Sequence, residues 1–557
     1  MNDFVKYLNG LHNYNAQNQN AYGEKNVQSP YYERTQVPID VCQHIINLIE
    51  KEEPHIIILT GHAGDGKTSI MYQVLKQFGV DILSSQVSEQ PITEISTESG
   101  KILTCIKDFS ELSEEKRLST LNQLMVSLAN KKYGFTVANT GPLINTFGAL
   151  FRDEKEQEQA RMDIIDAMDS NTGAIRNIHG YPMAVINVAA IENTGFAERF
   201  LSKIQAEDLW EKCELCNKKS YCHIWNNHRL ILDNKDRVYE FIRYYYIWQT
   251  EYGTRLTIRS MTEHLAYIFT GGDGCEDVKP GKLHKKLFSN LFFGYEGIIS
   301  NPLAENIIAV RLAKESNIYL KRLRADEELL IRRNYKHTFG SSVNEVISDV
   351  DTYTALNQEW DNELRRMYLF MSIVPDEQHK KDIEDIFSRQ FYPYYMVRNE
   401  NTKPIRAQKD LVIDALRMIY TGTVSNSANL IPITMSSEGG ISQSVQLIAG
   451  TLNTGDIDIR KEPDSDMNKG KNNLYLKIKK IHSYHLTLPM LDHFAELRDG
   501  VIATNIDPQL SHGIENLKAT ILSVADIDED RLDMLVMSNS GYTQESIVIE
   551  NGIIELQ

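Results

Sequence analysis

Short apolar runs and stretches of helical periodicity alternate through the first third of the chain. The run HIIILT at 55–60 is rich in β-branched residues and follows a helix predicted over 37–52. Three further runs, ILTCIKD, FTVANTG and MAVINVAAI, end at Asp108, near Asn139 and at Ile191. Continuous apolar runs of this length are typical of strands buried on both faces. Their alternation with helices predicts a parallel sheet covered by helices on both sides.

The segment after the first predicted strand, GHAGDGKT, fits the pattern G-x-x-x-x-G-K-[ST]. Its glycines let the backbone curl so that N–H groups point at phosphate oxygens, and the helix predicted over 68–78 adds its positive N-terminal end. Lys67 is expected to hold the β and γ phosphates of ATP, and Thr68 to supply a hydroxyl oxygen to Mg²⁺. The predicted ATP-binding residues are Gly61, His62, Ala63, Gly64, Asp65, Gly66, Lys67, Thr68 and Ser69.

Polar residues at the ends of the later strands complete the predicted catalytic set around Lys67. Asp108 stands where a second Mg²⁺-directed carboxylate belongs, and Glu111 is expected to polarise the attacking water. Asn139 is expected to orient that water or contact the γ-phosphate without adding negative charge, with Asn187 as its rival for this role. The plainer readings are an acidic helix start after a strand and a turn asparagine.

Arg259 opens the helical stretch IRSMTEHLAYIF, well after the predicted sheet. A guanidinium that reaches back to the phosphates from a helical lid would couple nucleotide state to domain position. The alternative is an exposed arginine at a helix start. We include Arg259 in the predicted catalytic set.

The predicted fold class is α/β: a P-loop NTPase (AAA+-like) parallel sheet with a helical lid, followed by a helical region and a C-terminal α+β domain. Beyond the lid the pattern is mostly helical to about residue 400, and it then turns to strands with Gly-rich punctuation. The predicted segments are a loosely ordered polar N-terminus over 1–34, the ATPase core over 35–205, a cysteine knot and lid over 206–278, the helical region over 279–402 and the α+β domain over 403–557.

Cysteines cluster directly after the predicted core. The spacing Cys213-x2-Cys216-x5-Cys222 places three thiols within ten residues. A closed tetrahedral zinc site needs a fourth ligand, for which His223, His228 and Cys275 compete. Cys275 is favoured because adjacent residues such as Cys222 and His223 rarely both bind one ion. Such a zinc would be structural, and the alternative is a set of reduced thiols or a redox pair.

Composition narrows the class of protein. At 557 residues, with 42% hydrophobic and 24% charged residues, the chain predicts a globular protein of several domains. It has no apolar run near the length of a membrane span and no secretory signal pattern, so we expect a cytoplasmic protein without membrane association. A formal net charge of −17 argues against a protein that grips DNA over its whole surface.

Local basic clusters leave DNA contact open. One cluster lies beside Tyr319 and Tyr335, which is compatible with a nucleic-acid groove, but it also contains Asp326, Glu327 and Glu328, and such runs are more often solvated helix faces paired with acids. The clusters are Lys282, Lys285 and Lys286; Lys321, Arg322, Arg324, Arg332, Arg333 and Lys336; and Lys477, Lys479 and Lys480. We find no nuclease pattern, so any DNA cleavage would be performed by a partner.

Taken together, TGHAGDGKTS, IKDFSEL, VANTGPL and the cysteine knot followed by LTIRSM resemble the DptF family. These proteins are the ATPase subunits of bacterial DNA phosphorothioation-dependent restriction systems. The resemblance covers about residues 30–280 and extends more weakly to the segment near 485–510. It implies a cytoplasmic ATPase that works with DptG- and DptH-type subunits to restrict DNA lacking the host's mark, contacting DNA directly or through them. The roles it carries over fall on 61–68, Asp108, Asn139 and Arg259.

The leading functional hypothesis is therefore an ATP-hydrolysing subunit that powers or switches a restriction complex. The alternative is a signalling-type ATPase switch that recruits effectors through its C-terminal domain. A structural scaffold with a vestigial site is a third reading, which the intact Lys67, Thr68 and Asp108 disfavour. Assembly into a homo-oligomer is compatible with each.

Overall fold

A computed structural model describes most of the chain, and its described residues fall into two compact units. The first unit covers Met1–Ile386, and the second covers the described residues from Phe387 onward. The described residues are 1–14, 29–82, 90–170, 172–400, 402–403, 406–423, 429–435, 444–462, 473–480, 482–501, 506–527, 531–538, 541–550 and 553–556.

A six-stranded sheet forms the centre of the first unit, in the spatial order β2-β3-β4-β1-β6-β5. Strands β3, β4, β1 and β6 run parallel, while β2 and β5 pair antiparallel at the two edges. The strands are β1 (Ile56–Thr60), β2 (Ile92–Ser96), β3 (Ile102–Ile106), β4 (Tyr133–Val137), β5 (Arg176–Ile178) and β6 (Tyr181–Asn187). The α/β class is thus confirmed, but the sheet is mixed rather than wholly parallel.

The antiparallel edges follow from the length of the connections. Only a tight turn separates β2 from β3, closed by the Thr97 N–H donating to the Lys101 carbonyl at 2.8 Å. Between β5 and β6 stand only His179 and Gly180, both with positive φ. Turns this short join antiparallel neighbours, whereas a parallel pair needs a crossover of a dozen or more residues.

Helices cover both faces of the sheet, as the fully apolar strands require. Within β1, Ile57 and Leu59 pack into one core layer, while Ile56 and Ile58 pack into the other. The first layer is closed by α3 (Val41–Lys51) and α4 (Lys67–Gln77), and the second by α5 (Glu114–Ala129), α6 (Thr140–Gly148) and α7 (Glu154–Ser170). Each fully buried isoleucine contributes about 1.5–3 kcal/mol of hydrophobic free energy.

The described residues of the N-terminal segment, 1–14 and 29–34, include helices with buried side chains, whereas a loosely ordered segment was expected. A helix, α1 (Asp3–Asn9), buries Phe4, Val5 and Leu8, and the Asn2 side chain caps it at the Phe4 N–H. The apolar residues at i and i+4 favour a helix, but the many Asn and Gln residues that follow favoured the expectation of a loosely ordered segment. Residues 15–28 lie outside the described part of the chain, and α2 (Tyr32–Thr35) follows them.

Helices dominate the rest of the first unit. They are α8 (Phe196–Ile204), α9 (Glu207–Glu214), α10 (His223–Asp233), α11 (Lys235–Glu251), α12 (Ile258–Thr270), α13 (Phe288–Leu291), α14 (Ile308–Glu315), α15 (Tyr335–Thr338), α16 (Ser341–Ser348), α17 (Thr352–Leu356), α18 (Glu359–Met371) and α19 (Asp376–Phe387), with a small hairpin of β7 (Tyr295–Glu296) and β8 (Ile299–Ser300). Across the described residues, no helix is long and apolar enough to span a bilayer.

The second unit combines antiparallel sheets with helices. One sheet has the order β16-β15-β14-β10-β9 and the other β11-β12-β13. Its elements are α20 (Phe391–Asn399), α21 (Arg406–Thr421), β9 (Leu430–Thr434), β10 (Val445–Asn453), β11 (Ile457–Lys461), β12 (Leu474–Ile478), β13 (His482–Leu486), α22 (Leu488–Arg498), α23 (Pro508–Val524), β14 (Arg531–Ser538), β15 (Gly541–Glu550) and β16 (Ile553–Leu556).

The second unit begins before the predicted boundary at 402/403. The backbone N–H of Gln390 donates to Asp492 Oδ1 at 3.2 Å, and Arg389 forms an ion pair with Asp499. These contacts join the segment before α20 to α22 and its end. They connect residues about a hundred positions apart, so the local sequence pattern contains no sign of them.

Candidate active site

The Gly-rich loop lies at the carboxyl end of β1, in the middle of the sheet. Gly61, Gly64 and Gly66 have φ angles of 140°, 90° and 86°, conformations that favour glycine. A Cβ on Gly64 would lie 3.0 Å from Thr257 Oγ1, and one on Gly66 would lie 3.1 Å from Ile258 Cδ1. The loop is therefore shaped by its own glycines and by the segment that leads into α12.

Lys67 is the first residue of α4, and its buried side chain contacts the Gly-rich loop. Its Nζ donates to the carbonyls of Gly61 at 3.0 Å and His62 at 2.6 Å, and to Asn139 Oδ1 at 3.0 Å. Burial lowers the pKa of Lys67, the Asp65 carboxylate opposes this effect, and the charge of Arg259 lowers the pKa further. The lysine and asparagine predicted to act together are therefore in direct contact.

Asn139 stands between the end of β4 and the start of α6. Its backbone N–H donates to Ser110 Oγ at 2.7 Å, which ties this strand end to the short turn after β3. That turn presents Asp108, Ser110 and Glu111 to the same cavity as Lys67. Asp108 has a φ of 54° and a side chain that is 37% exposed, and Glu111 is exposed.

The rival asparagine is placed differently. Asn187, at the end of β6, accepts a hydrogen bond from the Ala189 N–H at 3.1 Å and caps a short helical turn. It does not line the cavity around Lys67, whereas Asn139 does.

Arg259 reaches the loop from the start of α12. Its backbone N–H donates to the Gly64 carbonyl at 3.1 Å, and its side chain is exposed and lines the cavity. Thr257 caps the helix by accepting from the Ser260 N–H at 3.2 Å. The structure thus brings Arg259 together with Lys67, Asp108, Glu111 and Asn139 around one cavity.

A second arginine, which is absent from the predicted set, contacts the Gly-rich loop through Asp65. Arg255 Nη1 donates to Asp65 Oδ1 at 2.6 Å, and Nη2 donates to the carbonyls of Val188 and Ile191. The other Asp65 oxygen accepts from the His62 N–H at 2.8 Å, and the Asp65 side chain is fully buried. Asp65 therefore braces the loop, while Ala63, Gly64, Gly66, Lys67, Thr68 and Ser69 face the cavity.

The cavity itself has a volume of about 330 Å³ and is lined by both polar and apolar residues. The apolar wall combines the N-terminal segment with α8: it is formed by Tyr7, Leu11, Tyr32, Val37, Ile39, Phe196 and Phe200. Gln73 fastens this segment to α4, because its Nε2 donates to the Val37 carbonyl at 2.9 Å and its Oε1 accepts from the Ile39 N–H at 3.1 Å. Aromatic and aliphatic side chains beside a phosphate-type loop form a slot suited to a flat base.

The predicted zinc ligands lie elsewhere in the first unit. Cys213 lies in the last turn of α9, Cys222 is the N-cap residue of α10, and Cys275 follows α12. Among the described residues, no three His, Cys, Asp or Glu side chains converge as a ready-made metal site.

Several residues of the basic clusters are paired with acids. Arg332 contacts Glu327 and Glu328 at 2.7 and 2.6 Å. Lys282 pairs with Asp349, Lys286 with Asp273, and Lys479 with Asp526. The pairs of Arg332 and Lys282 lie on exposed faces, whereas Lys286 and Lys479 are partly buried in their pairs.

Comparisons with known proteins add no relative: no protein-family model matches the chain, and neither the curated proteins nor the solved structures contain a match.

Proposed function

We propose that this chain is a P-loop ATPase that binds Mg·ATP in the cavity around Lys67 and hydrolyses it. The proposal depends chiefly on one observation, which is that residues from separate segments line the same cavity. Lys67, Asn139, Asp108 and Arg259 come from four separate segments and line one cavity beside a loop with three glycines at positive φ. A coincidental Gly-rich turn has no reason to assemble this set.

The phosphate end supplies binding and charge stabilisation. Backbone N–H groups of the loop and the start of α4 would receive phosphate oxygens, and Lys67 Nζ would move from the Gly61 and His62 carbonyls to the phosphates. Thr68 and Asp108, which both line the cavity, would hold Mg²⁺, and the ion would neutralise charge on the β and γ phosphates.

Catalysis requires a positioned water. Asn139 Oδ1 lies at the end of β4 and accepts from Lys67, so its amide is available to orient a water without repelling the phosphates. Glu111, which is exposed and lines the cavity, is the acidic group that would polarise that water.

The apolar end supports a nucleoside triphosphate rather than a simple phosphate ester. Tyr32 and Phe200 belong to a wall of rings and aliphatic groups that would bury a purine. Burial raises the pKa of Tyr32, and a hydrogen bond between its hydroxyl group and Ser69 links this wall to the phosphate loop.

At the level of the cell, we propose that the ATPase serves a DNA phosphorothioation-dependent restriction system together with DptG- and DptH-type subunits. This rests on the resemblance of TGHAGDGKTS, IKDFSEL and VANTGPL and on the lid segment LTIRSM. Arg255 and Arg259 support a motor or switch, because both join the phosphate loop to the approach of α12. A signalling-type switch uses the same contacts and differs only in turnover.

Steady-state ATP turnover tests the proposal. Turnover should fall by at least about 100-fold in Lys67→Ala and by about 100-fold in Asn139→Ala, since each removes a group that acts on the phosphates or the water. Lys132→Ala, whose amine pairs with Glu94 on the surface, is the matched control and should keep full activity.

Adding unmodified or phosphorothioated duplex to the same assay tests the biological assignment. Turnover that differs between the two DNAs supports a restriction ATPase. Tight ATP binding with no turnover under any condition would favour the switch, and turnover insensitive to Lys67→Ala would refute the site.

A further inference from the structure

Four cysteines from separated segments gather beside the N-terminus of the chain. They are Cys213 in the last turn of α9, Cys216 just after it, Cys222 at the start of α10 and Cys275 after α12. All four are free thiols. The Lys219 N–H donates to the Cys216 carbonyl at 3.1 Å and the Cys222 N–H donates to the Lys219 carbonyl at 3.4 Å, so two successive tight turns connect Cys216 to Cys222.

Backbone and side-chain contacts keep this cluster together. The Cys216 N–H donates to the Cys213 carbonyl at 3.2 Å, which forms a tight turn between the first two thiols. Asn2 Nδ2 donates to Cys213 Sγ at 3.3 Å, while Cys275 Sγ lies 3.9 Å from the Asn2 carbonyl oxygen. One residue therefore touches a thiol from the knot and the thiol from the distant loop.

Lys218 makes a second tie between the knot and the loop. Its Nζ donates to the Cys275 carbonyl at 2.9 Å and to the Val278 carbonyl at 3.1 Å. A flexible side chain is thus fixed to hold a loop 57 residues away in sequence. Apolar packing alone does not require four thiols at this point, since two of the segments are short surface turns.

The two histidines that compete for the fourth place have other neighbours, although His228 Nδ1 is buried without a hydrogen-bond partner among the described residues. His223 Nε2 lies 3.1 Å from the Thr270 carbonyl and 3.4 Å from Asp273. The ring of His228 stacks on Trp210 at 4.3 Å and contacts Trp225 at 5.3 Å. The contacts of Asn2 and Lys218 instead single out Cys275.

We propose that Cys213, Cys216, Cys222 and Cys275 bind one structural Zn²⁺ ion. Four thiolates in tetrahedral arrangement are a donor set that zinc prefers in closed sites. The thiols as placed do not yet converge on one point. Coordination would require rotation about the Cα–Cβ bonds of the exposed Cys216 and the half-exposed Cys222 and Cys275, for which a cysteine has three staggered χ1 positions.

Binding replaces each S–H bond by an S–Zn bond and releases the protons to solvent, with no change of oxidation state. The resulting centre carries net negative charge beside Lys218. Because Asn2 caps α1 and contacts two of the ligands, the ion would fasten α1, α9 and the end of α12 at one point. Its role is independent of ATP hydrolysis.

Metal content of the full-length protein is the first test. Protein purified without chelators should carry about one zinc per chain by elemental analysis, and Cys213→Ser and Cys275→Ser should lose most of it. Cys42→Ser is the matched control, because that buried thiol lies beside Gln73 in the sheet core and should not affect zinc. Lys67→Ala should also retain zinc, which separates this proposal from the ATPase proposal.

A cobalt titration of the metal-stripped wild-type protein keeps the test decisive if a variant fails to fold. A four-thiolate site should give intense sulfur-to-cobalt charge-transfer and tetrahedral visible bands that saturate at about one equivalent. Cys275→Ser should shift or abolish these bands. Absence of both zinc and a saturable cobalt spectrum would overturn the proposal, as would a spectrum that Cys275→Ser leaves unchanged or a disulfide between two of these cysteines in the purified protein.

Discussion

At the scale of single residues, the ion pair between Asp65 and Arg255 shows what the sequence pattern could predict about the loop and what it could not. The pattern G-x-x-x-x-G-K-[ST] placed Asp65 in the predicted ATP-binding loop but assigned its side chain no partner. The structure instead turns the Asp65 carboxylate away from the cavity to Arg255, which lies 190 residues later. No local pattern marks a pair so far apart, so Arg255 escaped notice beside Arg259.

Breaking this pair should destabilise the first unit. Arg255→Ala leaves the fully buried Asp65 carboxylate with only the His62 N–H, and removing one partner of a buried pair typically costs about 3–5 kcal/mol. Because Arg255 is 22% exposed, we expect a loss near the lower limit, about 3 kcal/mol. Urea denaturation measures it.

The matched control is Arg332→Ala, which breaks a solvent-exposed pair with Glu327 and Glu328 and should shift the unfolding midpoint little or not at all. Equal effects of the two substitutions would show that Asp65 and Arg255 do not brace the loop. A double-mutant cycle with Asp65→Ala isolates the coupling between them.

At the scale of elements, the apolar pattern predicted the strands that are buried on both faces. It did not predict the edge strands, whose pairing depends on tight turns. The strands β1 and β4 are buried at every position, and the apolar runs that accompany this burial allowed them to be predicted. The edge strands β2 and β5 have exposed positions and depend on tight turns for their pairing, so nothing in their hydrophobicity marks them. The helix α1 was missed for the opposite reason, since three buried residues were outweighed by polar neighbours.

The helix α12 carries a buried histidine that should make the first unit sensitive to acid. Burial lowers the pKa of His264 to about 4, and its ring nitrogens lie 3.0 Å from the Tyr246 hydroxyl group and 3.0 Å from the Phe292 carbonyl. The unfolded chain, with a histidine pKa near 6.5, binds the proton more readily. Stability from the neutral ring is therefore complete above about pH 6.5 and declines as the pH falls towards 4.

Between about pH 7 and about pH 5.5, His264 alone should lower the free energy of unfolding by about 1 kcal/mol. Tryptophan fluorescence is the appropriate probe, because Trp210, Trp225, Trp248 and Trp360 all lie in the first unit. His264→Gln should reduce the pH-dependent loss by that amount. His337→Gln, at an exposed position, is the control and should leave it unchanged. A loss identical in all three proteins would contradict the assignment.

At the scale of the whole molecule, the candidate site is a product of long-range assembly. Its phosphate end could be predicted because the loop is contiguous from Gly61 to Ser69. Its apolar end could not, because Tyr7, Tyr32 and Phe200 are brought together from α1, α2 and α8 by tertiary packing. The choice of Asn139 over Asn187 likewise needed the structure, because both residues follow strands that flank β1, and it is Asn139 that accepts a hydrogen bond from Lys67.

Charge at the same scale favours DNA contact through partners. The chain has a formal net charge of −17, and basic residues such as Arg332 and Lys286 are paired with nearby carboxylates. Phosphate contact relies on unpaired cations, so the chain alone is expected to hold duplex DNA weakly. An ATPase of this kind would depend on other subunits to recognise and cleave DNA.

The most direct test of the central claim is equilibrium binding of Mg·ATP to the full-length protein by calorimetry, with Lys67→Ala and the control Lys132→Ala. We expect one saturable site per chain, an affinity weakened at least about tenfold in Lys67→Ala and unchanged in Lys132→Ala. Loss of affinity in Lys67→Ala alone would place ATP in the cavity. No saturable binding, or equal binding by all three proteins, would contradict the nucleotide site and the function built on it.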